Sequence, residues 1–401
     1  MEMNMNRKLF YRTFIAAVCI NLVIGINNAW SVFESALVSE RAWTHVEASL
    51  PSTVYSFFYA VGILSGGIIQ DHLGPKKTCR IAAVLAATGF TGSALSRSAP
   101  VFTLFYGVFT GLMVSFAYSS ALPALLRWLP EKEQGRYSGF TICAFALTAS
   151  YIAPVCSFML PALGIRKTFL IIGLFIFLIL FSASFFLYTP PAREPGKAAS
   201  LPEQPVSKVV FTPEFAALFC ISFSVTFAFT LLVTHIINIA DVQAGAANAF
   251  YLITVFSVMN CISRIAGGAA SDVIYPPVIL FVICLLDLAF MLLFNRFGSI
   301  PLLILGSLIV GMSFGTNMSI IPKMVSSFFG MDHFGRNFGL VSISSGIAGV
   351  PAAFAAGASI DRTGTYLIAY MITAVILIIS LLLLVNLIIR SKRKGQKMSR
   401  L

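Results

Sequence analysis

The stretch GGIIQDHLGPKK, residues 66–77, recurs in part some two hundred residues later and sets the organisation of this chain. Its first half matches GGAASD at 267–272, so that Asp71 and Asp272 stand 201 residues apart. Two further echoes pair SFAYSSALP (115–123) with SFGTNMSIIP (313–322), and Pro154 with Pro351. Three landmarks at nearly one offset indicate an internal duplication in which both copies run in the same direction.

The composition excludes an ordinary water-soluble fold. The chain has 401 residues, of which 58% are hydrophobic and 10% charged, whereas a soluble domain carries roughly 25% charged residues. A disordered chain is excluded as well, because disorder requires low hydrophobicity. A polytopic membrane protein remains. The net charge of +12 then reflects Lys and Arg in cytoplasmic loops, and we expect no nucleic-acid partner.

Twelve apolar runs approach or exceed the length of about 20 residues that a helix needs to cross a bilayer. They lie at roughly 10–33, 48–70, 79–96, 101–127, 137–160, 167–188, 214–238, 246–270, 277–294, 299–325, 337–359 and 366–389. The first run lacks a small-residue cleavage site, so we do not interpret it as a signal peptide. The predicted fold is an all-α integral membrane protein, with twelve transmembrane helices in two pseudo-symmetric six-helix bundles.

A polar stretch divides the twelve runs into two sets of six. Residues 189–213 are rich in Pro, Ala and charged residues, which is typical of a linker. The sequence therefore predicts three parts. They are an N-terminal bundle (1–188), a cytoplasmic linker (189–213) and a C-terminal bundle with a basic tail (214–401).

The distribution of Lys and Arg predicts the orientation in the membrane. With the N-terminus inside, 20 of these cations fall in cytoplasmic segments, Lys323 and Arg336 among them, and six fall outside. The remaining cation, Arg264, lies within a span. This bias predicts that both termini are cytoplasmic, in a plasma or inner membrane. The basic tail follows an apolar run directly, so we expect it to contact anionic lipid headgroups.

The sequence carries no constellation typical of an enzyme or a metal centre. HExxH, GxxxxGK[ST] and GxSxG motifs are absent, and the four histidines lie in unrelated places. The seven cysteines are scattered through apolar segments without CxxC spacing, so we expect reduced packing residues. We therefore expect no catalytic activity, no metal and no cofactor.

One motif carries a family resemblance. Gly67-xxx-Asp71-xx-Gly74-Pro75-Lys76-Lys77, between spans two and three, resembles the signature of the major facilitator superfamily. The resemblance implies a cytoplasmic gate that holds one conformation closed. Its residues would be Gly67, Asp71, Gly74, Lys76, Lys77 and, in the second copy, Asp272. VIYPP follows Asp272 in place of glycine and cations, so we expect an asymmetric gate.

A narrower resemblance covers both halves. The chain is similar to the oxalate:formate antiporter and monocarboxylate-transporter branch of that superfamily. The motifs that carry it are Gly25-xxxx-Trp30-Ser31-Val32-Phe33, Arg127-Trp128-Leu129-Pro130, Thr234-His235-Ile236, Asn260-xxx-Arg264-Ile265-xx-Gly268, Phe329-Gly330 and Gly335-Arg336-Asn337-Phe338-Gly339. The resemblance implies a small organic anion as substrate, bound near the midplane between the two halves.

Arg264 is the strongest candidate for binding that anion. A cation at bilayer depth costs about 2.5–3.5 kcal/mol by insertion scales, so it needs a cavity, a partner or an anionic ligand. Ser257, Asn260 and Arg264 form one polar stripe on a helix, and a guanidinium binds a carboxylate bidentately. Two alternatives stay open, namely a structural pair with Asp272 or Asp287 and snorkelling to the interface.

Further candidates come from polar and aromatic residues within spans. The branch lines its cavity with aromatic side chains, and a Tyr hydroxyl can orient a carboxylate. The candidates are Tyr55, Tyr59, Tyr118, Trp30 and Asn28 in the first half, and Asn260, Ser345 and His235 in the second. The alternatives are ordinary packing or an interfacial belt, and for His235 a satisfied polar residue near the outer interface. The hydroxyl row that includes Thr226 either lines the pathway or bonds back to its own helix.

Two departures from the branch bear on the substrate. Oxalate antiporters carry a second cation in span eleven, where the aligned residue here is Ser345, and one cation suits a monoanion. Proton-coupled monocarboxylate carriers have an acid one turn before the arginine, where this chain has Asn260. We therefore expect a monomeric carrier of monocarboxylates such as lactate, formate or pyruvate, coupled to a proton or an exchanged anion. The alternatives are oxalate:formate-type exchange and a membrane sensor that retains the transporter fold.

Overall fold

Every element that the structure describes is helical. The computed structural model describes residues 2–190, 206–246, 249 and 251–393, and no strand occurs in those ranges. The elements of the first half are α1 (Glu2–Ile24), a 3₁₀ helix (Ile26–Ala29), α2 (Trp30–Arg41), α3 (His45–Leu73), α4 (Pro75–Leu95), α5 (Ala99–Thr103), a π-helix (Leu104–Thr110), α6 (Gly111–Leu126) and α7 (Glu131–Ser184). Those of the second half are α8 (Val206–Val210), α9 (Pro213–Ala244), α10 (Tyr251–Val273), α11 (Pro276–Phe294), α12 (Ile300–Phe329), α13 (Phe334–Thr363) and α14 (Leu367–Arg393).

The helices account for the twelve predicted spans. Ten apolar helical segments in the described residues are long enough to cross a bilayer. One of them, α7, has 54 residues and a length of about 80 Å at 1.5 Å per residue. It bends at Gly164, where φ is 72°, and so supplies spans five and six. The first span consists of α1 and α2. The predicted all-α membrane fold is confirmed.

Two spans are less regular than the apolar pattern predicts. The first is broken by the 3₁₀ helix at Ile26–Ala29, and the fourth contains the π-helix Leu104–Thr110. In the fourth span, a Cβ on Gly111 would lie 2.7 Å from the carbonyl oxygen of Tyr55, so this helix lies close against the backbone of α3. Apolar periodicity carries no information about such backbone contacts, which is why the irregular turns were not predicted.

Short polar and glycine signals fix the helix ends. Thr44 and Glu47 form a reciprocal capping box at the start of α3, which satisfies two otherwise unpaired N–H groups. Gly74 ends α3 at φ 78°, and Pro75 begins α4 at the first helical position, where its missing N–H carries no penalty. The gate motif of the sequence is therefore also the turn between α3 and α4.

The described contacts divide the chain into two compact units. Unit 1 comprises Met1–Leu129, Ala144–Ser200 and Gly330–Ile343, and unit 2 comprises Pro130–Cys143, Leu201–Phe329 and Ser344–Leu401. The domain boundaries drawn from the duplication (1–188, 189–213 and 214–401) stay a prediction. Residues 191–205 of the linker and 394–401 of the basic tail lie outside the described ranges, as does the side chain of Asn28.

A close helix contact recurs at equivalent glycines of the two units. In unit 1, a Cβ on Gly66 of α3 would lie 2.8 Å from the Phe116 ring of α6. In unit 2, a Cβ on Gly267 of α10 would lie 2.7 Å from the Thr316 side chain of α12. Small residues let membrane helices approach in this way. The two glycines are 201 residues apart, so the duplication seen in the sequence is also present in the helix packing.

Candidate functional site

Arg264 lies on α10 and is held by two neutral oxygen atoms. Its Nε donates to Oδ1 of Asn260 at 3.0 Å, and its Nη1 donates to the backbone oxygen of Ile142 on α7 at 2.8 Å. The side chain is 5% exposed. Asn260, one turn earlier on the same helix, therefore orients the guanidinium, as the predicted polar stripe requires. A charged side chain within a membrane-spanning helix is costly unless a partner, a cavity or an anionic ligand compensates it.

The backbone at Arg264 is also fixed by two neighbouring helices. The hydroxyl of Ser319 on α12 donates to the Arg264 carbonyl oxygen at 2.7 Å. On the α7 side, a Cβ on Gly139 would collide with the same carbonyl oxygen. The position of the guanidinium is therefore determined by α7, α10 and α12 together, all within unit 2.

The candidates Ser345 and His235 have different surroundings. Ser345, on α13, accepts a hydrogen bond from the hydroxyl of Thr226 on α9 at 3.1 Å. The ring of His235 lies 5.8 Å from that of Tyr366, in the connection between α13 and α14. Burial raises the pKa of the Tyr366 hydroxyl, and a hydrogen bond to Asn238 opposes this shift. The Thr226–Ser345 contact joins the hydroxyl row of α9 to α13.

The aromatic candidates of unit 1 form a cluster around a residue that was not predicted. Tyr106 is completely buried, and its ring centroid lies 4.6 Å from that of Trp30 and 6.3 Å from that of Tyr55. Tyr55 stacks on Tyr59 with parallel rings 6.2 Å apart. The indole of Trp30 donates to the Ala48 carbonyl at 3.2 Å. These contacts bring together three of the predicted candidates.

The ring of Tyr118 contacts residues outside that cluster. Its ring packs 6.4 Å from Phe145 on α7 and 6.0 Å from Phe338 on α13. The side chain is 6% exposed, which is consistent with a residue too deep for an interfacial belt. Its role in binding stays a prediction.

Asp71 accepts hydrogen bonds from the start of α13, within unit 1. Its two oxygens accept from the backbone N–H groups of Gly335 at 3.2 Å and Arg336 at 3.0 Å. These N–H groups belong to the first helical turn, which lacks intrahelical acceptors and favours a negative charge. A Cβ on Gly67 would collide with the backbone of Gly335. Gly67 therefore allows the close approach, and we call this contact the Asp71 clamp.

The lysines of the gate motif have other surroundings. The Nζ of Lys76 lies 3.9 Å from the centroid of the Tyr188 ring, a cation–π contact. The side chain of Lys77 is exposed. The motif residues are thus divided between the Asp71 clamp, the turn at Gly74 and a ring contact at the end of α7.

Asp272 makes an equivalent contact within unit 2, and it also binds a lysine. Its oxygens accept from the N–H groups of Gly135 at 2.9 Å and Arg136 at 2.8 Å, near the start of α7. The Nζ of Lys323 lies 2.7 Å from Asp272 Oδ1 and also donates to the Ser271 carbonyl at 2.6 Å. We call this contact the Asp272 clamp. It differs from the Asp71 clamp in containing an ion pair.

Lys323 lies within a helix and is buried. The sequence count placed it among the cytoplasmic cations, and its side of the membrane stays a prediction; α12 continues to Phe329, and the Lys323 side chain is 1% exposed. A lysine can be buried in this way because its charge is paired with Asp272 and a second N–H donates to the Ser271 carbonyl oxygen. The Asp272 clamp therefore contains a cation, which α12 supplies.

Both clamps contain a glycine-arginine motif that sequence reasoning did not connect. GRYSG at 135–139 and GRNFG at 335–339 are 200 residues apart and share the pattern Gly-Arg-x-x-Gly. The first glycine of each pattern lies against the partner helix, since a Cβ on Gly135 would collide with Gly268. The repeat was visible in the sequence at an offset of 200 residues, one fewer than that between the two aspartates.

Asp287 is buried on α11 and bonded to a neutral partner. Its Oδ1 accepts from the Ser313 hydroxyl of α12 at 2.8 Å, and the side chain is 0% exposed. No hydrogen-bond partner of Oδ2 occurs among the described residues. In the same described ranges, no group of three or more His, Cys, Asp and Glu side chains is arranged to hold a metal ion.

Comparison of the sequence with known protein families gives a match over nearly the whole chain. The description "Major Facilitator Superfamily" fits residues 13–353 and 243–399. The chain belongs to the Major Facilitator Superfamily. It is therefore a multi-pass membrane protein of a transporter family, and the resemblance stated from its motifs is confirmed.

Two relatives and one solved structure illustrate this membership. The oxalate:formate antiporter of Oxalobacter formigenes is 23% identical over 393 residues, which cover 96% of this chain and 93% of the relative. Monocarboxylate transporter 12 of Mus musculus is 22% identical over 373 residues, which cover 82% and 75% of the two chains. The crystal structure of the transporter FucP in the outward conformation matches with a TM-score of 0.71 at 15% identity, over 94% of this chain and 98% of that one.

Proposed function

We propose that this protein is a secondary carrier of small organic anions and that Arg264 binds the substrate carboxylate. The single observation that carries the proposal is a buried arginine in a membrane-spanning helix with neutral oxygens at two of its donors. Either contact can be exchanged for a carboxylate, which forms stronger, charge-assisted hydrogen bonds. The names of the two relatives, an oxalate:formate antiporter and a monocarboxylate transporter, support the same chemical class.

We infer further that the carrier prefers monocarboxylates such as lactate, formate or pyruvate. The position aligned with a second cation in oxalate carriers is Ser345, which here accepts a neutral hydrogen bond from Thr226. A dianion bound by one arginine would keep its second carboxylate unpaired, and desolvating an unpaired charge is costly. The roles of the unit 1 candidates in substrate binding stay predictions; these are Tyr118, Tyr55, Tyr59 and Trp30.

Oxalate:formate-type exchange is the second candidate. It is favoured by the 23% identity to the Oxalobacter formigenes antiporter over 96% of this chain. An exchanger moves substrate only when an anion is present on both sides, whereas a proton symporter responds to a pH gradient. Asn260, which replaces the acid expected in proton-coupled carriers, favours exchange over that route.

Transport in liposomes distinguishes these possibilities. Purified protein is reconstituted into liposomes loaded with lactate, formate, oxalate or buffer, and uptake of labelled lactate or formate is measured with and without a pH gradient. We expect saturable uptake that unlabelled monocarboxylates inhibit. Uptake that requires an internal anion indicates exchange, and uptake into buffer-loaded liposomes driven by an acidic exterior indicates proton symport. The absence of uptake for every acid tested would contradict the proposal.

A further inference from the structure

The start of α7 packs against α10 with almost no side chain between the two backbones. A Cβ on Gly135 would collide with the carbonyl oxygen of Gly268, and one on Gly139 would collide with that of Arg264. As the chain advances along α7, its contacts move backward along α10, so the helices are antiparallel here. Glycines at successive turns give membrane helices their shortest separations. Both segments belong to unit 2.

The next pair along this contact line consists of two cysteines. Cys143 of α7 and Cys261 of α10 follow the Gly139–Arg264 contact by about one turn, so the antiparallel contact line brings the two cysteines to facing positions. Both thiols are free. Cys143 is 4% exposed, whereas Cys261 is partly exposed. Disulfides form where Cα atoms are about 4.4–6.8 Å apart, and helices in glycine contact reach such separations.

We propose that Cys143 and Cys261 are a redox-active pair that forms a disulfide on exposure to a peroxide, and that this bond holds Arg264 in its contact with Ile142. The peroxide oxidises the more exposed thiol, Cys261, to a sulfenic acid and releases one water molecule. The Cys143 thiol then attacks the sulfenic sulfur, the S–S bond forms, and a second water molecule leaves. Two thiols thus lose two electrons and two protons, and one hydrogen peroxide becomes two waters.

The position of the pair gives the disulfide a functional consequence, which rests on the proposed function. Cys143 directly follows Ile142, whose carbonyl oxygen binds the Arg264 guanidinium, and Cys261 precedes Arg264 by three residues. A carboxylate that binds Arg264 must compete with that carbonyl oxygen. A covalent bond beside the contact keeps α7 and α10 together, so oxidation stops uptake until a reductant restores the thiols.

Crosslinking of the full-length protein tests the disulfide directly. A protease site is inserted into residues 191–205, which lie between the two cysteines in sequence, and the reconstituted protein is treated with hydrogen peroxide. Free thiols are blocked with N-ethylmaleimide, the chain is cut, and the halves are separated on a denaturing gel without reductant. We expect the halves to stay linked and to separate after dithiothreitol. Halves that separate without reductant would overturn the proposal.

A matched control moves one thiol to the neighbouring helix face. The double variant C261S/I262C keeps seven cysteines, and residue 262 is 53% exposed. We expect at least tenfold less crosslinked product than in the wild type. The conservative variant C143S provides a second control with the native α10. Equal crosslinking in either variant would assign the bond to other cysteines and overturn the proposal.

Uptake measured on the same samples tests whether the disulfide stops transport. We expect peroxide to abolish uptake by the wild type, dithiothreitol to restore it, and C143S to keep its uptake under peroxide. A crosslinked wild type that still transports would overturn the proposal that the disulfide inhibits uptake. If the reduced wild type takes up none of the acids, the proposed function fails, while the gel still decides whether the disulfide forms.

Discussion

The hydroxyl of Ser319 donates to the backbone carbonyl oxygen of Arg264 at 2.7 Å. Two hundred residues earlier, Ser119 makes the corresponding contact with the carbonyl oxygen of Ile63, at 3.4 Å. The same scaffold contact therefore supports an arginine in the second copy and an isoleucine in the first. The two positions are equivalent by the duplication, but only the one in the second half carries a charged side chain.

Substitution of Arg264 is expected to weaken substrate binding. R264A removes a charge-assisted hydrogen bond, which is worth about 1.5–3 kcal/mol, or about 10- to 150-fold in affinity. R264K keeps the charge but loses the bidentate geometry, so its affinity for substrate should lie between those of the wild type and R264A. The measurement is half-saturation of lactate or formate uptake in liposomes at equal protein density.

The matched control for this experiment is R390A. Arg390 Nε donates to Oδ1 of Asn386 at 2.8 Å, one turn earlier on α14, which reproduces the Arg264–Asn260 pair on an exposed helix surface. R390A should leave uptake unchanged. Near-normal affinity in R264A, with normal expression, would contradict the assignment of Arg264 to the substrate.

Introduction of a second cation is expected to shift the preference toward dianions. In S345K the Thr226–Ser345 hydroxyl contact is replaced by an ammonium group that can pair with a second carboxylate. We expect unlabelled oxalate to compete better against labelled lactate in S345K than in the wild type, with S345N as the uncharged control. If oxalate already competes better than lactate in the wild type, exchange of the oxalate:formate type becomes the leading function.

The Asp272 clamp should be more sensitive to substitution than the Asp71 clamp. K323M leaves the Asp272 carboxylate without its cation, and removing one partner of a buried ion pair typically costs about 3–5 kcal/mol. D71N, which keeps an oxygen for one N–H of α13, should cost less. The measurement is the midpoint of thermal unfolding in detergent for K323M, D272N, D71N and the double variant K323M/D272N.

The double variant tests whether Lys323 and Asp272 act as a pair. If they do, K323M/D272N should be clearly more stable than the sum of the two single effects predicts. Additive effects would show that the 2.7 Å contact between Lys323 and Asp272 contributes little to stability.

The close approach at Gly67 gives a further prediction. In G67A the new methyl group would collide with the backbone of Gly335, so the Asp71 clamp cannot close without a shift of α3 or α13. We expect lower thermal stability and slower uptake. Gly357 on α13 is the control, because a Cβ there meets no atom within 4 Å. Equal behaviour of G67A and G357A would show that the helices adapt easily at this contact.

The sequence pattern predicted the parts of the fold that depend on repetition and hydrophobicity. The offset between Asp71 and Asp272 located both clamps, and the apolar runs located all twelve spans. The partner of Arg264 on α7 and the partners of Asp71 on α13 were not predictable in the same way. They are backbone groups of Ile142, Gly335 and Arg336, and a backbone group has no distinctive residue type.

The burial of Lys323 was not predicted, for a different physical reason. Counting cations near span ends assumes that a charged side chain lies in water, and this assumption fails when a buried acid is paired with it. Asp272 was recognised as part of the gate motif, but the lysine that binds it comes from another helix, 51 residues later. Pairing across that separation becomes visible only when α10 and α12 are packed together.

The buried Lys323–Asp272 pair also constrains how the protein is made. Taken singly, α12 would bring an unpaired ammonium group into the bilayer and α10 an unpaired carboxylate, and each charge opposes entry into lipid. Once the two helices are side by side, the charges compensate each other, and the cost of bringing each one into lipid is reduced. We therefore expect stable insertion of α12 to depend on α10 being retained nearby during synthesis, so that the two helices enter the lipid as a pair.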